Sequence, residues 1–353
     1  MIERNKTKTV AIGNVKIGSS HPVAVQSMTK VATYDVGRCL QQIKQLADAG
    51  CDIVRCAVPT PADTAALPTL VAKSPVPLVA DIHFSPQRAI EAIEAGVAKI
   101  RLNPGNIKSH SDILRIIDAA KMHKTAVRIG VNEASIRDLS REAVPPEQRT
   151  ELMLDEMRRY IRLFEDRGFD QLVLSAKSSD ALRTIEVNRR IAESLRYPLH
   201  LGLTHAGLPQ DATVPSAVAL GTLLAEGIGD TIRVSAAGDP VIETRIAAQI
   251  LIALGLRERP TPELIVCPTC GRTEIDVVKL AKQVEKVLRK VNRPYRVAVM
   301  GCVVNGPGEA ADADFAICAA KGKAYFYRHG QKIAVVPEME IIPRLLAILS
   351  ELA

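Results

Sequence analysis

The sequence predicts an α/β protein, a (β/α)8 TIM barrel followed by a small α+β domain. The 353 residues are 47% hydrophobic but only 3% aromatic, without Trp, and this aliphatic composition suits parallel sheets covered by helices. Apolar runs typical of strands alternate eight times with segments of helical period, as a (β/α)8 barrel requires. Pro260 and Pro262 then flank a polar residue, a pattern typical of a linker. We therefore expect a barrel domain at residues 1–259 and a second domain at 260–353.

The barrel elements follow from the apolar pattern in chain order. Residues 9–18 alternate around Gly13 and Asn14 and predict a short hairpin, which could plug one end of the barrel. The eight strands are predicted at residues 23–28, 53–57, 78–82, 99–102, 126–131, 171–175, 199–203 and 231–234. The helices between and after them, several opened by Pro or Ser and closed by Gly, are predicted at residues 37–49, 61–71, 86–95, 109–123, 149–167, 178–194, 213–226 and 240–254.

The second domain is predicted to mix short strands with two helices. Strands are expected at residues 263–266, 296–300, 315–318, 323–327 and 332–335, and helices at 275–291 and 341–352. Two cysteine-bearing loops each follow a predicted strand, so neighbouring strands would bring these loops together.

Each predicted barrel strand ends in at least one polar or charged residue. Catalytic groups of TIM barrels project from the C-terminal strand ends, so these residues should share one rim. A single Arg at such a place is usually a surface ion-pair partner. Guanidinium forks that converge with a Lys instead predict a site for a diphosphate or for a ligand with several carboxylates. The cations on five different strands are Arg55, Arg101, Arg128, Lys177 and Arg233.

Neutral, acidic and imidazole groups complete the predicted rim. Asn103, Asn132 and Ser235 would supply neutral hydrogen bonds, and Asp81 is either a partner of the arginines or a proton carrier. His205 follows the seventh strand and faces the predicted anion site, where both a structural and a functional role are open.

Three cysteines predict a metal centre in the second domain. Cys267 and Cys270 form a Cys-x-x-Cys pair, and Cys302 lies in a Gly- and Pro-rich loop that leads to Glu309. The pair alone also fits a redox dithiol or a zinc site. However, zinc usually needs a second close pair, and a dithiol leaves Cys302 unexplained. Three thiolates with one weaker ligand suit a 4Fe-4S cluster, which the sequence therefore favours.

Composition argues against several other classes of protein. The seven cysteines are an odd number in a large core-forming chain, which favours thiols and metal ligation over a disulfide frame. The N-terminus has no apolar signal region and no long uncharged apolar run occurs, so a cytoplasmic protein is expected. The net charge of +7 comes with few aromatic side chains, so nucleic-acid binding is weakly supported, and a small anionic substrate explains the positive excess equally well.

Short motifs along nearly the whole chain resemble those of a known family. They lie at residues 25–28, 54–55, 58–59, 79–84, 101–107, 128–132, 200–204, 226–233, 267–270 and 301–310. The last motif, Gly-Cys-Val-Val-Asn-Gly-Pro-Gly-Glu-Ala, is especially specific. Together they resemble the 4-hydroxy-3-methylbut-2-enyl diphosphate synthase family, the iron-sulfur enzymes of the methylerythritol phosphate route to isoprenoids, in their short bacterial form.

The resemblance implies a cofactor, a substrate and partners. It implies that Cys267, Cys270, Cys302 and Glu309 bind a 4Fe-4S cluster, with Glu309 as the displaceable ligand. The implied reaction is the two-electron reductive ring opening and dehydroxylation of 2-C-methyl-D-erythritol 2,4-cyclodiphosphate, with ferredoxin or flavodoxin as donor. The implied assembly is a head-to-tail homodimer. The residues implied to hold the diphosphate are Arg55, Arg101, Arg128, Asn132, Lys177, Arg233 and Ser235.

One residue departs from the family pattern. His205 stands where the family usually has Glu, which puts any role that needs a carboxylate there in doubt. An alternative is therefore a paralogue that reduces a different cyclic or allylic diphosphate. A further alternative is a non-catalytic iron-sulfur sensor scaffold, although that leaves the converging cations unexplained.

Overall fold

A computed structural model of the protein describes residues 2–103, 106–107, 109–132, 144–145, 148–204, 207–304 and 306–351. The chain divides into two compact units, Met1–Arg257 and Glu258–Ala353.

The first unit is a parallel barrel with helices outside it. Its sheet has eight strands in the order β8-β7-β6-β5-β4-β3-β10-β9, and a bridge between Leu174 and Leu199 joins β8 to the segment before β9. The strands are β3 (Ala24–Met28), β4 (Ile53–Ala57), β5 (Leu78–Ile82), β6 (Lys99–Leu102), β7 (Ala126–Asn132), β8 (Leu172–Lys177), β9 (His200–Leu201) and β10 (Thr231–Ile232). The helices are α1 (Val36–Asp48), α2 (Pro61–Lys73), α3 (Pro86–Glu94), α4 (His110–His123), α5 (Arg149–Glu165), α6 (Ala181–Ser194), α7 (Pro209–Ala225) and α8 (Pro240–Ala253). The predicted fold class is confirmed.

The predicted hairpin consists of β1 (Val10–Ile12) and β2 (Val15–Ile17), which pair in antiparallel register. Val10, Ile12 and Ile17 are fully buried and pack against the first inward-facing residues of the barrel strands, so the hairpin closes the N-terminal end of the barrel. Gly13 turns the hairpin with φ 58°, and a Cβ there would lie 3.1 Å from Pro77 Cβ. Only glycine adopts this conformation in this space at little cost.

Local sequence explains most helix starts. Asp35, Ser85, Ser109, Asp180 and Asp239 each cap a helix by accepting a hydrogen bond from a backbone N–H of its first turn. The sequence predicted a start of α7 at residue 213, but the helix begins at Pro209. Proline lacks a backbone N–H, and the first helical position does not need one, so the helix includes this residue. The strands β9 and β10 are shorter than predicted.

The second unit contains one five-stranded sheet. Its order is β11-β12-β13-β14-β15, and the first three strands run parallel while the last three pair as antiparallel neighbours. The strands are β11 (Glu263–Val266), β12 (Arg296–Met300), β13 (Phe315–Ala320), β14 (Lys323–Arg328) and β15 (Gln331–Pro337). The helices are α9 (Val277–Leu288), the short α10 (Gly306–Glu309) and α11 (Ile341–Ser350), and a 3-10 turn spans Glu338–Glu340.

The two faces of this sheet differ because side chains alternate along each strand. Val297 and Val299 of β12 pack with α9 and α11 in one apolar cluster. Ala298 and Met300 face the other way and pack with Cys318 of β13. The cysteine loops therefore adjoin a face of small and medium apolar side chains.

Candidate active site

Inward-facing residues change from apolar to polar along the barrel strands. At the end closed by the hairpin the apolar inward residues are Ala24, Ile53, Val79, Ala126 and Val173. Lys99 of β6, in register with Val79 and Ala126, adds one buried cation to this layer. Because inward positions recur every second residue, the next inward layer is Gln26, Arg55, Asp81, Arg128 and Ser175. The alternation thus places polar groups at the C-terminal end of the barrel, where TIM barrels carry their active sites.

A cavity of about 720 Å³ opens at that end. Of the residues that the sequence predicts for the rim, it brings together Arg55, Asp81, Arg101, Arg128, Asn132, Lys177, Arg233 and Ser235. Asn103 is buried just after β6 and is not among the described residues that line the cavity. His205 lies outside the described residues.

Four cations that line this cavity, Arg101, Arg128, Lys177 and Arg233, are buried. Arg128 is 3% exposed and Lys177 is 9% exposed. Burial and the neighbouring Arg55 and Arg101 guanidinium groups lower the pKa of Arg128 well below its ordinary value. Nε and Nη1 of Arg128 have no hydrogen-bond partner among the described protein atoms. A dianion placed here would relieve both the repulsion and the unmet hydrogen-bonding capacity.

Asp81 is the acid at the centre of the cationic layer. Its Oδ1 lies 3.4 Å from Arg101 Nη1, its Oδ2 lies 4.0 Å from Arg55 Nε, and His83 Nε2 lies 3.2 Å from Oδ2. Burial alone would raise the pKa of Asp81, but Arg55, the His83 hydrogen bond and Arg101 hold it well below its usual range. Asp81 is therefore ionised at neutral pH, which favours the role of arginine partner over that of proton donor.

Glu243 is a second acid in the cavity, and it was not among the residues predicted from the sequence. It lies in the first turn of α8, is 1% exposed, and accepts hydrogen bonds from Arg233 at 3.2 and 3.3 Å. It also accepts from Lys30 Nζ at 2.8 Å and from Ser27 Oγ at 3.0 Å. The position of α8 directly after β10 was the available signal, since a carboxylate in that first turn can face the last strand end.

Lys30 of the cavity wall and Met28 at the end of β3 also belong to this network. Lys30 lines the cavity two residues after β3, so its place just beyond a strand end was a signal for it in the sequence. Met28 Sδ accepts hydrogen bonds from Arg55 Nε at 3.1 Å and from Arg55 Nη2 at 3.0 Å. A thioether is a weak acceptor, so it orients the Arg55 guanidinium without neutralising it.

The two cysteine loops of the second unit lie at the same edge of its sheet. Because β11 and β12 are parallel neighbours, Cys267 follows the end of one strand and Cys302 follows the end of the next. Backbone hydrogen bonds join the loops: Cys267 N donates to Val299 O at 2.9 Å, and Glu274 N donates to Gly301 O at 3.2 Å. Close approach requires glycine at 301, since a Cβ there would lie 2.5 Å from Val277 Cγ2.

The donor chemistry of these loops fits an iron-sulfur cluster. Cys270 is exposed, Cys267 and Cys302 are half-buried, and no disulfide joins any of the seven cysteines, all of which the structure describes. Thr269 has φ 67°, a conformation that β-branched residues seldom adopt and that is found at ligand-binding turns. The backbone of Glu309 ends α10, and its side chain lies outside what the structure describes.

A single metal ion has different requirements. Among the described side chains, no three His, Cys, Asp or Glu groups lie close enough to hold one ion. In a cluster each ligand binds a different iron, so the thiolates stand farther apart than around one ion. By contrast, Cys318 is fully buried in the apolar sheet face beside these loops.

In the described part of the chain, no helix has the length and apolar character needed to cross a membrane.

Comparisons with known proteins follow the same division of the chain. Residues 7–248 match the GcpE TIM-barrel domain, and residues 263–351 match the GcpE protein C-terminal domain. The barrel also resembles a dihydropteroate synthase structure from Stenotrophomonas maltophilia, with a TM-score of 0.53 at 14% identity over 70% of this chain and 98% of that one. At this identity the likeness concerns the fold alone.

Full-length relatives are much closer in sequence. Three proteins named 4-hydroxy-3-methylbut-2-en-1-yl diphosphate synthase (flavodoxin) represent them. The protein from Corynebacterium efficiens is 46% identical over 97% of this chain and 91% of its own length. The protein from Aquifex aeolicus is 45% identical over 98% and 96%, and that from Desulfotalea psychrophila is 44% identical over 100% and 97%. The chain therefore belongs to the GcpE family, whose relatives bear the name 4-hydroxy-3-methylbut-2-en-1-yl diphosphate synthase.

Proposed function

We propose that the protein is an iron-sulfur oxidoreductase that converts 2-C-methyl-D-erythritol 2,4-cyclodiphosphate to 4-hydroxy-3-methylbut-2-enyl diphosphate. The observation that carries this proposal is the cavity in which buried cations on different strands surround space for a dianion. The names of the relatives support the same reaction. Those names include the word flavodoxin in parentheses, which supports flavodoxin as the electron donor. Ferredoxin is the other donor that the family resemblance suggests.

The cavity residues would bind and orient the diphosphate. Arg128, with Nε and Nη1 directed at no described protein acceptor, would contribute the strongest hydrogen bonds. Arg55 and Arg101 flank it, while Asn132 and Ser235 line the same cavity and add neutral hydrogen bonds. Asn103, which directly follows β6, would add a further neutral hydrogen bond.

The same cations would assist bond cleavage. Opening the ring breaks a carbon–oxygen bond to one phosphate, so negative charge develops on the freed phosphate oxygen. Positively charged groups that are already in place stabilise such a charge without reorganising. Arg233 and Lys177 line the cavity for this role, and Glu243 fixes Arg233. Asp81, being ionised, would compensate part of the positive charge of Arg55 and Arg101.

The cysteine loops would hold the cofactor. Cys267, Cys270 and Cys302 provide three thiolates at one sheet edge, and Glu309 would be the weaker fourth ligand. When bound, a 4Fe-4S cluster supplies the two electrons of the reaction one at a time. Catalysis then needs the barrel cavity and the cysteine loops to act on one substrate, and we propose that they do so in a head-to-tail homodimer.

Turnover by the anaerobic, iron-replete protein tests this function. We expect reduced flavodoxin and the cyclodiphosphate to give the linear allylic diphosphate and water, detected by phosphorus NMR. A colourless protein that holds one zinc would contradict the proposal, as would an iron-replete protein that yields no product.

His205 motivates a second candidate function, because it stands where the family usually has Glu. A paralogue with the same cluster and diphosphate site would reduce another cyclic or allylic diphosphate. The His205→Glu variant separates the two candidates. If that variant turns over the cyclodiphosphate and the native protein does not, the paralogue is favoured.

A further inference from the structure

Lys177 contacts a buried histidine that lies behind the cavity wall. His200 Nε2 lies 3.4 Å from Lys177 Nζ, and His200 is 0% exposed. On the other side of the ring, His200 Nδ1 lies 2.7 Å from Thr231 Oγ1. These three side chains form a line from the barrel interior to the cavity.

The strand register at the closing seam of the barrel creates this line. His200 and Thr231 are direct partners in the parallel pairing of β9 with β10. On the β8 side, Ser175 Oγ donates a hydrogen bond to His200 O at 2.9 Å. The backbone of His200 is thus held from both neighbouring strands, which fixes where its ring lies.

Gly202 gives the Lys177 side chain its path along the seam. A Cβ on Gly202 would lie 2.6 Å from Lys177 Nζ and 3.3 Å from Lys177 Cε. The lysine therefore packs against bare backbone, and any side chain at position 202 would displace it. Of the cavity carboxylates, Asp81 is engaged by Arg101, and Glu243 is engaged by Arg233.

Hydrogen-bond chemistry assigns the roles within this line. A neutral imidazole has one donor and one acceptor nitrogen, whereas a lysine ammonium has donors only. Burial, together with the nearby Arg128, Lys177, Lys99 and Arg55, lowers the pKa of His200 well below its ordinary value. Burial and the neighbouring Arg128 and Arg233 also lower the pKa of Lys177, an effect that a bound diphosphate would counteract. With Lys177 protonated beside the diphosphate, the neutral ring accepts from Lys177 at Nε2 and its Nδ1–H donates to Thr231 Oγ1.

We propose that Thr231 and His200 are positioning residues for Lys177. Thr231 holds the His200 ring in place through its contact with Nδ1, and His200 Nε2 holds the Lys177 ammonium in the direction of the bound diphosphate. This inference rests on the proposed function only in requiring that the cavity binds a diphosphate.

A double-mutant cycle on ligand affinity tests this arrangement. Thr231→Val keeps the shape of the side chain and removes its hydroxyl, whereas Thr231→Ser keeps the hydroxyl. His200→Asn removes the acceptor near Lys177, and His200→Gln places an amide oxygen close to it. The probe is inorganic diphosphate, titrated calorimetrically into each variant and into the same variants carrying Lys177→Met.

We expect His200→Asn to weaken diphosphate binding about tenfold, the loss typical of one hydrogen bond to a charged group. Thr231→Val should weaken it about fivefold, because it removes a hydrogen bond between neutral groups. Thr231→Ser should bind within about twofold of the native protein, and His200→Gln should recover part of the loss. In the Lys177→Met background neither Thr231→Val nor His200→Asn should cause further loss, because the group that they position is absent.

Additive losses, equal with and without the Lys177 side chain, would overturn the proposal, as would unchanged affinity in Thr231→Val. If His200→Asn fails to fold, as judged by its melting temperature, the comparison of Thr231→Val with Thr231→Ser tests the proposal alone. Native protein that binds inorganic diphosphate, shows the coupling and yet does not turn over the cyclodiphosphate would refute the proposed reaction and leave this arrangement standing. Native protein that binds no diphosphate would refute both.

Discussion

The Glu243 carboxylate accepts hydrogen bonds from the Arg233 guanidinium at 3.2 and 3.3 Å, with only 1% of Glu243 exposed. Replacing one partner of a buried ion pair leaves the other charge uncompensated, which typically costs about 3–5 kcal/mol. We therefore expect Glu243→Gln to lower the free energy of unfolding toward that extent, measured by urea denaturation.

The matched control for this pair is Glu226→Gln. Glu226 pairs with Arg189 at the surface, where both side chains are more than one third exposed, and such pairs contribute about 0–1 kcal/mol. Glu243→Gln should also raise KM for the cyclodiphosphate, because Arg233 loses its orientation. Equal unfolding free energies in the two variants would contradict this account of Glu243.

Asp81 should give the protein a defined acid dependence. Its pKa in the folded state lies below the value of about 3.9 expected for the unfolded chain, so its ionisation stabilises the fold above that pH. This contribution is lost as the pH falls. The difference in unfolding free energy between the native protein and Asp81→Asn should be constant from about pH 5 to 8 and shrink by about 1.4 kcal/mol per unit below about pH 4. A difference that does not change between pH 3 and 7 would show that Asp81 is not held ionised by the arginines.

Arg128 should increase the affinity for diphosphate without increasing the stability of the fold. Its guanidinium is buried beside other cations, so Arg128→Met should leave the melting temperature unchanged or raise it. The same variant should bind inorganic diphosphate about 100-fold more weakly, since a bidentate charge-assisted contact is lost. Arg115→Met is the control, because Arg115 is largely exposed on α4. Equal affinities in the two variants would remove Arg128 from the binding site.

Iron content should distinguish a cysteine that binds the cluster, Cys302, from one that only packs in the sheet, Cys318. Cys302→Ala should lose most of its iron after anaerobic purification, because one of three thiolate ligands is gone. Cys318→Ala is the matched control, since Cys318 is fully buried in the apolar sheet face. It should retain about four irons per chain, as expected of the native protein with one 4Fe-4S cluster. Similar iron loss in both variants would mean that packing, not ligation, explains the effect.

Most of the barrel could be predicted from the sequence because its strands obey simple rules. Ile53–Ala57, Leu78–Ile82 and Lys99–Leu102 match the predicted strands residue for residue. The sequence also indicated five cations of the cavity, since each lies on a barrel strand or directly after one. The cysteine loops carry local motifs whose residue types already limit the chemistry.

The parts that could not be predicted depend on contacts between distant segments. Glu243 is 10 residues beyond Arg233, and its burial depends on α8 packing back over the strand ends. His200 reads as an ordinary strand residue until the register with Thr231 is known. Which acid pairs with which cation is likewise a property of the assembled barrel, so Asp81 remained open between two roles at the level of sequence.

We propose that a 4Fe-4S cluster and a diphosphate site act together on one substrate. Electron paramagnetic resonance of the anaerobically reduced protein, recorded with and without the cyclodiphosphate, tests it most directly. We expect the signal of a reduced 4Fe-4S cluster that changes when the cyclodiphosphate is added and does not change with the same addition to Arg128→Met. A cluster signal that is indifferent to the cyclodiphosphate in the native protein, or no cluster signal in protein that contains iron, would contradict the account.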